Sequence, residues 1–124
     1  EQPQRVMMAV PTAPEDRFVF SATRANFQQL VIENSRKGSV LVDFWAPWCG
    51  PCRMMAPAYE QAAQMLEPQV RLAKVNTEEE QSLAARFGIS SIPTLVLLRG
   101  GRELARQPGA LGLQDIVRWV RSKI

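Results

Sequence analysis

Histidine is absent from this chain of 124 residues, and cysteine occurs only twice. Without histidine the chain cannot form a metal site with imidazole ligands, a cysteine–histidine protease site or a histidine general base. Structural zinc usually takes four cysteine or histidine ligands, so two cysteines cannot complete such a site within one chain. No apolar run approaches the roughly 18 residues of a membrane-spanning helix. We therefore expect no bound metal and no membrane contact, and chemistry centred on the two thiols.

Acidic residues are slightly fewer than basic ones, 12 against 15, which gives the chain a net charge of +3. Twelve of the basic residues are arginine, and they are interspersed with apolar positions. Nucleic-acid-binding surfaces usually interleave basic and aromatic residues, and this chain does not. We expect a solvated face that can steer acidic partners, and no nucleic-acid binding.

The length of the chain and its 46% hydrophobic content fit one domain with a substantial core. Residues 1–16 contain three prolines and little periodicity, which predicts a loosely ordered lead-in. Residues 17–124 form the predicted domain. The chain begins at Glu1 and not at Met, and such a start is expected when a longer precursor is trimmed.

Strand and helix signals alternate along the domain in the order β-α-β-α-β-α-β-β-α, which predicts an α/β fold with a mixed sheet. The predicted strands are residues 17–20, 40–45, 70–75, 94–98 and 102–106. Gly100 and Gly101 predict a tight hairpin between the last two strands. Thr23 is predicted to cap the first helix, and Thr77 with Glu80 to form a capping box on the third.

Both cysteines lie in "FWAPWCGPCRMMAP", directly after an apolar strand and at the start of a helical pattern. They could form a structural disulfide, part of a metal site or a redox pair. A disulfide between Cys49 and Cys52 closes a very short loop and therefore restricts the unfolded chain little. The N-terminus of a helix favours a thiolate at Cys49, and Cys52 follows on the same helix face. This arrangement predicts thiol–disulfide exchange.

The segment "VDFWAPWCGPCRMMAP" closely resembles the active-site segment of the thioredoxin family. The resemblance continues through "AKVNTEEEQSLAARFGISSIPTLVLLRGGRE" and "GAL", and covers roughly residues 18–124. It implies the thioredoxin fold, a central mixed β-sheet flanked by helices on both faces. "KVNTE" and "RFGISSIPT" are most similar to the second bacterial thioredoxin class, whose usual zinc-binding N-terminal segment with extra C-x-x-C pairs does not occur in this sequence.

The catalytic residues follow from the cysteine pair and from the resemblance. We expect Cys49 to attack the substrate disulfide and Cys52 to resolve the mixed disulfide. Asp43 lies within an apolar strand, where desolvation should raise its pKa, although the residues alone equally fit a surface carboxylate near a strand end. The resemblance implies that Asp43 lies buried behind the pair and serves in proton transfer. It also implies that Lys74 lies beside Asp43, whereas the residues alone fit a solvent-exposed strand lysine.

The resemblance also implies a shallow apolar docking surface for substrates. Most X–Pro bonds are trans, and the residues alone favour that form at Pro93. Thioredoxin-like proteins hold the matching proline cis against the cysteines, and the backbone of the preceding residue, here Ile92, pairs with the substrate chain. The other residues expected to line this surface are Trp48, Gly50, Pro51 and Gly109.

Gly50 and Pro51 separate the cysteines, where a histidine would stabilise the thiolate and make the disulfide more oxidising. In the family this dipeptide marks reducing members, so we predict a monomeric, cytoplasmic protein-disulfide reductase with no bound cofactor. The resemblance implies recharging by an NADPH-dependent thioredoxin reductase and action on disulfide-containing proteins. The alternatives are a disulfide oxidase or isomerase in an oxidising compartment such as the periplasm, and a thiol-independent co-chaperone or binding module.

Overall fold

A computed structural model describes residues 18–124. The predicted lead-in, residues 1–16, and the first residue of the first predicted strand lie outside the described residues. The rest forms a five-stranded sheet with the order β1-β3-β2-β4-β5. The strands are β1 (Val19–Ser21), β2 (Ser39–Trp45), β3 (Val70–Asn76), β4 (Thr94–Arg99) and β5 (Arg102–Pro108).

The sheet is mixed, as predicted. β3 pairs in parallel with both β1 and β2, whereas β4 is antiparallel to β2 and β5 is antiparallel to β4. Parallel strands end at the same edge of a sheet, so the segments that follow β2 and β3 emerge side by side. The start of β4 lies at this same edge, because Thr94 pairs with Phe44 near the end of β2. This edge carries the cysteine pair.

Three α-helices and one irregular helical segment cover the sheet. The α-helices are α1 (Gly50–Leu66), α2 (Gln81–Arg86) and α3 (Leu113–Lys123). The first helical segment has π-type hydrogen bonds over Gln28–Glu33 and continues as a 3₁₀ turn over Asn34–Arg36. In the described part of the chain, no helix is long and apolar enough to cross a membrane.

Two hydrophobic cores lie on opposite faces of the sheet, because successive side chains of a strand point in opposite directions. In β2, Leu41 packs on one face with α1 and α3, while Val40 and Val42 pack on the other with the first helical segment and α2. Asp43 shares the face of Leu41 by this alternation. The predicted arrangement of helices on both faces is confirmed.

Of the two predicted helix starts, the one at Thr77 is wrong. The first helical turn begins at Thr23 as predicted: the Thr23 carbonyl oxygen accepts the Phe27 N–H at 2.8 Å, and Oδ1 of Asn26 accepts the Thr23 N–H at 2.8 Å. Thr77 forms no capping box, because its hydroxyl donates to the Trp45 carbonyl oxygen at 3.0 Å. Glu80 is instead the residue before α2 and accepts a hydrogen bond from the backbone N–H of Arg24. Long-range hydrogen bonds therefore occupy the Thr77 hydroxyl and the Glu80 carboxylate, the two groups that the capping box would use.

The predicted hairpin is confirmed in detail. Gly100 and Gly101 connect β4 and β5 with φ values of 66° and 85°. A two-residue turn with positive φ at both positions matches the twist of the flanking strands, and glycine adopts it without steric cost. Ser35 ties this turn to the first helical segment, since its hydroxyl accepts the Gly101 N–H at 2.9 Å.

Candidate active site

The cysteine pair sits where β2 gives way to α1. Cys49 is the residue before the helix, in extended conformation, and Pro51 occupies the first turn, where its missing N–H leaves no bond unmade. The two sulfurs are joined in a disulfide, with Cα atoms 5.3 Å apart. The Cys49 sulfur accepts the backbone N–H of Cys52 at 3.2 Å. In the reduced protein the same donor and the helix dipole would stabilise a thiolate at Cys49.

The loop before β4 and the loop after β5 lie against the pair. The carbonyl oxygen of Ile92 lies 3.9 Å from the Cys49 sulfur, and the Ile92–Pro93 peptide bond is cis, the form that the resemblance implied. Gly109, with a φ of 94°, donates its N–H to the Pro93 carbonyl oxygen at 2.8 Å. Three predicted substrate-binding residues, Ile92, Pro93 and Gly109, are therefore brought together beside Cys49.

The remaining predicted docking residues adjoin the pair along the chain. Trp48 is 66% exposed, which is unusual for so large an apolar side chain. Gly50 and Pro51 are also exposed, whereas Cys49 and Cys52 are buried. The surface around the disulfide is thus apolar and accessible, with the sulfur atoms set into it.

An open cavity of about 680 Å³ lies behind the pair, between α1 and the ends of β2 and β3. Cys52, Asp43 and Lys74 all line it, which unites three of the predicted catalytic residues. Asp43 and Lys74 are also register partners on adjacent strands. Cys52 lines this cavity and Cys49 does not, so the two sulfurs meet different surroundings.

Asp43 is buried, at 5% exposure, and its Oδ1 has no hydrogen-bond partner among the described residues. Burial raises the pKa of Asp43 from 3.8 to about 7, against the opposing attraction of the Lys74 ammonium. The alternative of an ordinary surface carboxylate is therefore wrong. A carboxyl group with a pKa near neutrality can both accept and release a proton at physiological pH.

Lys74 is half-buried, so the exposed strand lysine of the alternative interpretation is also wrong. Its Nζ lies 5.6 Å from the centre of the Trp45 ring, within the range of a cation–π interaction. Trp45 is half-buried and lines the cavity.

Tyr59, a residue of α1, makes polar contacts in the core. Its hydroxyl lies 2.7 Å from the Ala73 carbonyl oxygen and 3.1 Å from that of Leu41, bridging β3 and β2. Burial, and then the negative charge of Asp43, raise the pKa of Tyr59 well above its usual value. The sequence could have placed Tyr59 near the site, because it lies two turns after Cys52 on the same helix face.

Met55 connects α1 to a neighbouring loop. Its sulfur accepts the backbone N–H of Leu111 at 3.4 Å, which ties α1 to the loop that carries Gly109. Among residues 18–124, no group of three or more cysteine, histidine, aspartate or glutamate side chains could hold a metal ion.

The sequence was compared with known proteins. The thioredoxin family model matches residues 18–122. The chain is 50% identical to thioredoxin 1 of Synechococcus elongatus over 91 residues, which cover 73% of this chain and 83% of the relative. It is 46% identical to thioredoxin 1 of Nostoc sp. over 89 residues, which cover 72% and 81% respectively. It is 38% identical to the thioredoxin of Haemophilus influenzae over 100 residues, which cover 81% and 92%.

The family match spans nearly all of the described residues, including the β2–α1 junction where the disulfide lies. The fold, the paired cysteines and the relatives agree on one chemistry, thiol–disulfide exchange. The chain belongs to the thioredoxin family and is a thiol–disulfide oxidoreductase.

Proposed function

We propose that this protein works in the reducing direction in the cytoplasm, as a general protein-disulfide reductase that an NADPH-dependent thioredoxin reductase recharges. The observation that carries the proposal is the shared cavity of Cys52 and Asp43, whose pKa is about 7. Catalysis in this direction requires Cys52 to lose a proton while the mixed disulfide exists. The chain contains no histidine to take that proton.

The proposed cycle begins with the thiolate of Cys49, which attacks one sulfur of the substrate disulfide. The substrate's other sulfur leaves as a thiolate, and a mixed disulfide forms. Asp43 then accepts the Cys52 proton through the cavity, whose volume of about 680 Å³ admits water. The Cys52 thiolate attacks Cys49, and the second substrate sulfur departs. One substrate disulfide is reduced, and one protein disulfide is formed.

The docking surface is proposed to hold the substrate chain by its backbone. The exposed Trp48, Gly50 and Pro51 provide apolar contact, and Gly109 extends the same surface. Ile92 would pair with an extended segment of substrate, as in strand addition. A surface that reads backbone and shape accepts many sequences, which suits a general reductant. No cofactor is required within the domain, because the electrons reside on the two sulfurs.

The test is the equilibrium redox potential of the Cys49–Cys52 pair, measured against a dithiothreitol or glutathione series. We expect a value more negative than the cytosolic glutathione poise of about −220 to −260 mV. The matched variant is Pro51→His, which places an imidazole beside the pair and should make the potential less negative by stabilising the thiolate. A wild-type potential above the glutathione poise would contradict the proposal and support an oxidase or isomerase.

A further inference from the structure

A second cleft, of about 250 Å³, lies between the first helical segment, α2 and β5. Part of its lining is apolar, from Ile32, Phe87 and Leu98. The charged part consists of three arginines and one glutamate: Arg86, Arg102, Arg106 and Glu103. The cleft is therefore positively charged, and none of these residues belongs to the redox site described above.

The only acidic group in this lining is already neutralised. The Arg106 guanidinium donates to both carboxylate oxygens of Glu103, at 2.6 and 2.8 Å, a paired geometry that is stronger than a single contact. These bonds hold the pKa of Glu103 below its ordinary value, so it stays ionised as the partner of Arg106. Arg106 also donates to the Phe87 carbonyl oxygen at 2.7 Å, which fixes it at the end of α2.

The other two arginines supply the excess charge. The Arg86 guanidinium lies 5.3 Å from the centre of the Phe27 ring and 5.6 Å from that of Phe87. These ring contacts position the group and leave its N–H donors available. Arg102 is exposed. Within residues 18–124, neither Arg86 nor Arg102 forms an ion pair with a carboxylate.

The cleft lies within reach of a chain bound at the redox site. Arg106 precedes Gly109 by three residues, which corresponds to about 10 Å along an extended strand. Gly109 in turn is hydrogen-bonded to Pro93, next to Cys49. Phe87 leads into the same loop through residues 88–92. Arg102 lies at the start of β5, seven residues before Gly109, so a substrate chain needs about seven extended residues, or roughly 23 Å, beyond a bound disulfide to pass Arg106 and reach Arg102.

We propose that this cleft docks an acidic segment flanking the disulfide of a protein substrate, so that substrates with such a segment are reduced faster. The proposal rests on the proposed function and adds a substrate class to it. Free guanidinium donors of Arg86 and Arg102 would bind carboxylates, and the apolar wall would contact the methylene groups of glutamate side chains. Because these charges are exposed, they should act on association and be screened by salt.

The experiment uses two disulfide-containing peptides of identical sequence except for a flank of three glutamates or three glutamines. The second-order rate constant for reduction by the reduced protein is measured at low salt and at high salt. We expect the glutamate peptide to react about threefold to tenfold faster at low salt, the size of effect that one or two exposed ion pairs provide. The advantage should disappear at high salt, and the glutamine peptide should change little.

Variants assign the effect to the cleft. Arg102→Gln should lower the advantage of the glutamate peptide, and adding Arg86→Gln should remove it. The matched control is Arg118→Gln, which also removes one positive charge but from α3, where Arg118 pairs with Asp115. Arg102 is exposed, so its variant should fold even if loss of the Arg86 ring contacts destabilises the double variant.

The outcomes separate the two proposals. Equal rates for the two peptides, or an advantage that Arg118→Gln lowers as much as Arg102→Gln, would overturn the acidic docking site while leaving the reductase function intact. Failure of the wild-type protein to reduce either peptide would overturn the proposed function itself. A glutamate advantage that Arg102→Gln lowers and Arg118→Gln leaves unchanged supports both.

Discussion

The cavity behind Cys52 and the arginine cleft beside β5 use charge in opposite ways. The cavity holds one buried carboxylate, Asp43, whose pKa is raised to about 7. The cleft holds four charged residues, and its one ion pair, Arg106–Glu103, has side chains that are 35% and 30% exposed. The single buried group has the larger energetic effect, because its charged form loses hydration that the protein does not replace.

The difference follows from the surroundings of each charge. Water and salt screen the interactions of exposed guanidinium groups, which therefore contribute about 1 kcal/mol or less each and act mainly on encounter with a partner. Burial acts on the protonation equilibrium itself, at about 1.4 kcal/mol for each unit of pKa. The cavity is therefore suited to a chemical step, and the cleft to the choice of partner.

The largest expected effect belongs to the thiols. Cys49→Ser should lower disulfide reduction at least about a thousandfold, because the remaining thiol, Cys52, is buried against the inner cavity and is poorly placed to attack a substrate sulfur. Cys52→Ser should keep the attack and accumulate the mixed disulfide, which mass spectrometry would detect. Turnover of an insulin-type substrate measures the loss. Reduction that persists in Cys49→Ser would refute the exchange mechanism, and an antiaggregation activity unaffected by the change would favour the co-chaperone alternative.

The next effect is on stability, through Asp43→Asn. The folded state keeps the Asp43 proton up to a pH of about 7, whereas the unfolded chain releases it near its ordinary value of 3.8. Between these values the folded state binds more protons, so its free energy of unfolding falls as the pH rises. Three pKa units correspond to about 4 kcal/mol. Above pH 8, the free energy of unfolding of the variant should therefore exceed that of the wild type by up to about 4 kcal/mol.

Urea unfolding of the oxidised proteins at pH 4 and pH 9 measures this difference. Near pH 4 both proteins carry a neutral group at position 43, and their free energies of unfolding should be similar. Asp115→Asn is the control, because it removes an exposed carboxylate in the first turn of α3 that does not line the cavity. A constant difference at all pH values would mean that Asp43 does not titrate as the cavity implies.

A smaller effect is expected on catalysis. Asp43→Asn removes the proton acceptor of Cys52 and should slow release of the reduced substrate by about 100-fold near pH 7, the lower end of the range for general bases. Hydroxide takes over at higher pH, so the deficit should shrink above about pH 9. Single-turnover rates from pH 5 to 10 would show this. An unchanged profile would assign proton transfer to another group.

The smallest effect belongs to the cleft. Glu103→Gln should lower the free energy of unfolding by less than about 1 kcal/mol, since the Arg106 pair is partly exposed. The same change raises the positive charge of the cleft and should increase the preference for the glutamate peptide. Thermal unfolding and the peptide rates measure both effects. A loss of several kcal/mol in the free energy of unfolding would mean that the Arg106–Glu103 pair behaves as a buried pair. The proposed difference between the cleft and Asp43 would then be wrong.

Local features of the sequence predicted much of the active site. Cys49 and Cys52 reveal their arrangement through spacing alone, because a strand-to-helix junction brings the dipole and the free N–H groups with it. The Gly100–Gly101 hairpin is equally local. The predicted capping box at Thr77, which the structure does not form, shows the limit of this reasoning. Thr77 had the right spacing for a capping box, but the Trp45 carbonyl, 32 residues away in the chain, took its hydroxyl.

The chain itself determined the strand order along the sequence, the position of the two thiols at a helix start and the lack of any histidine base. Only the tertiary structure decided that Asp43 is buried, that Tyr59 bridges two strands, and that arginines from α2 and β5 share a cleft. Spacing and capping depend on neighbours along the chain, whereas burial, and the pKa and charge density that follow from it, depend on which distant elements pack together.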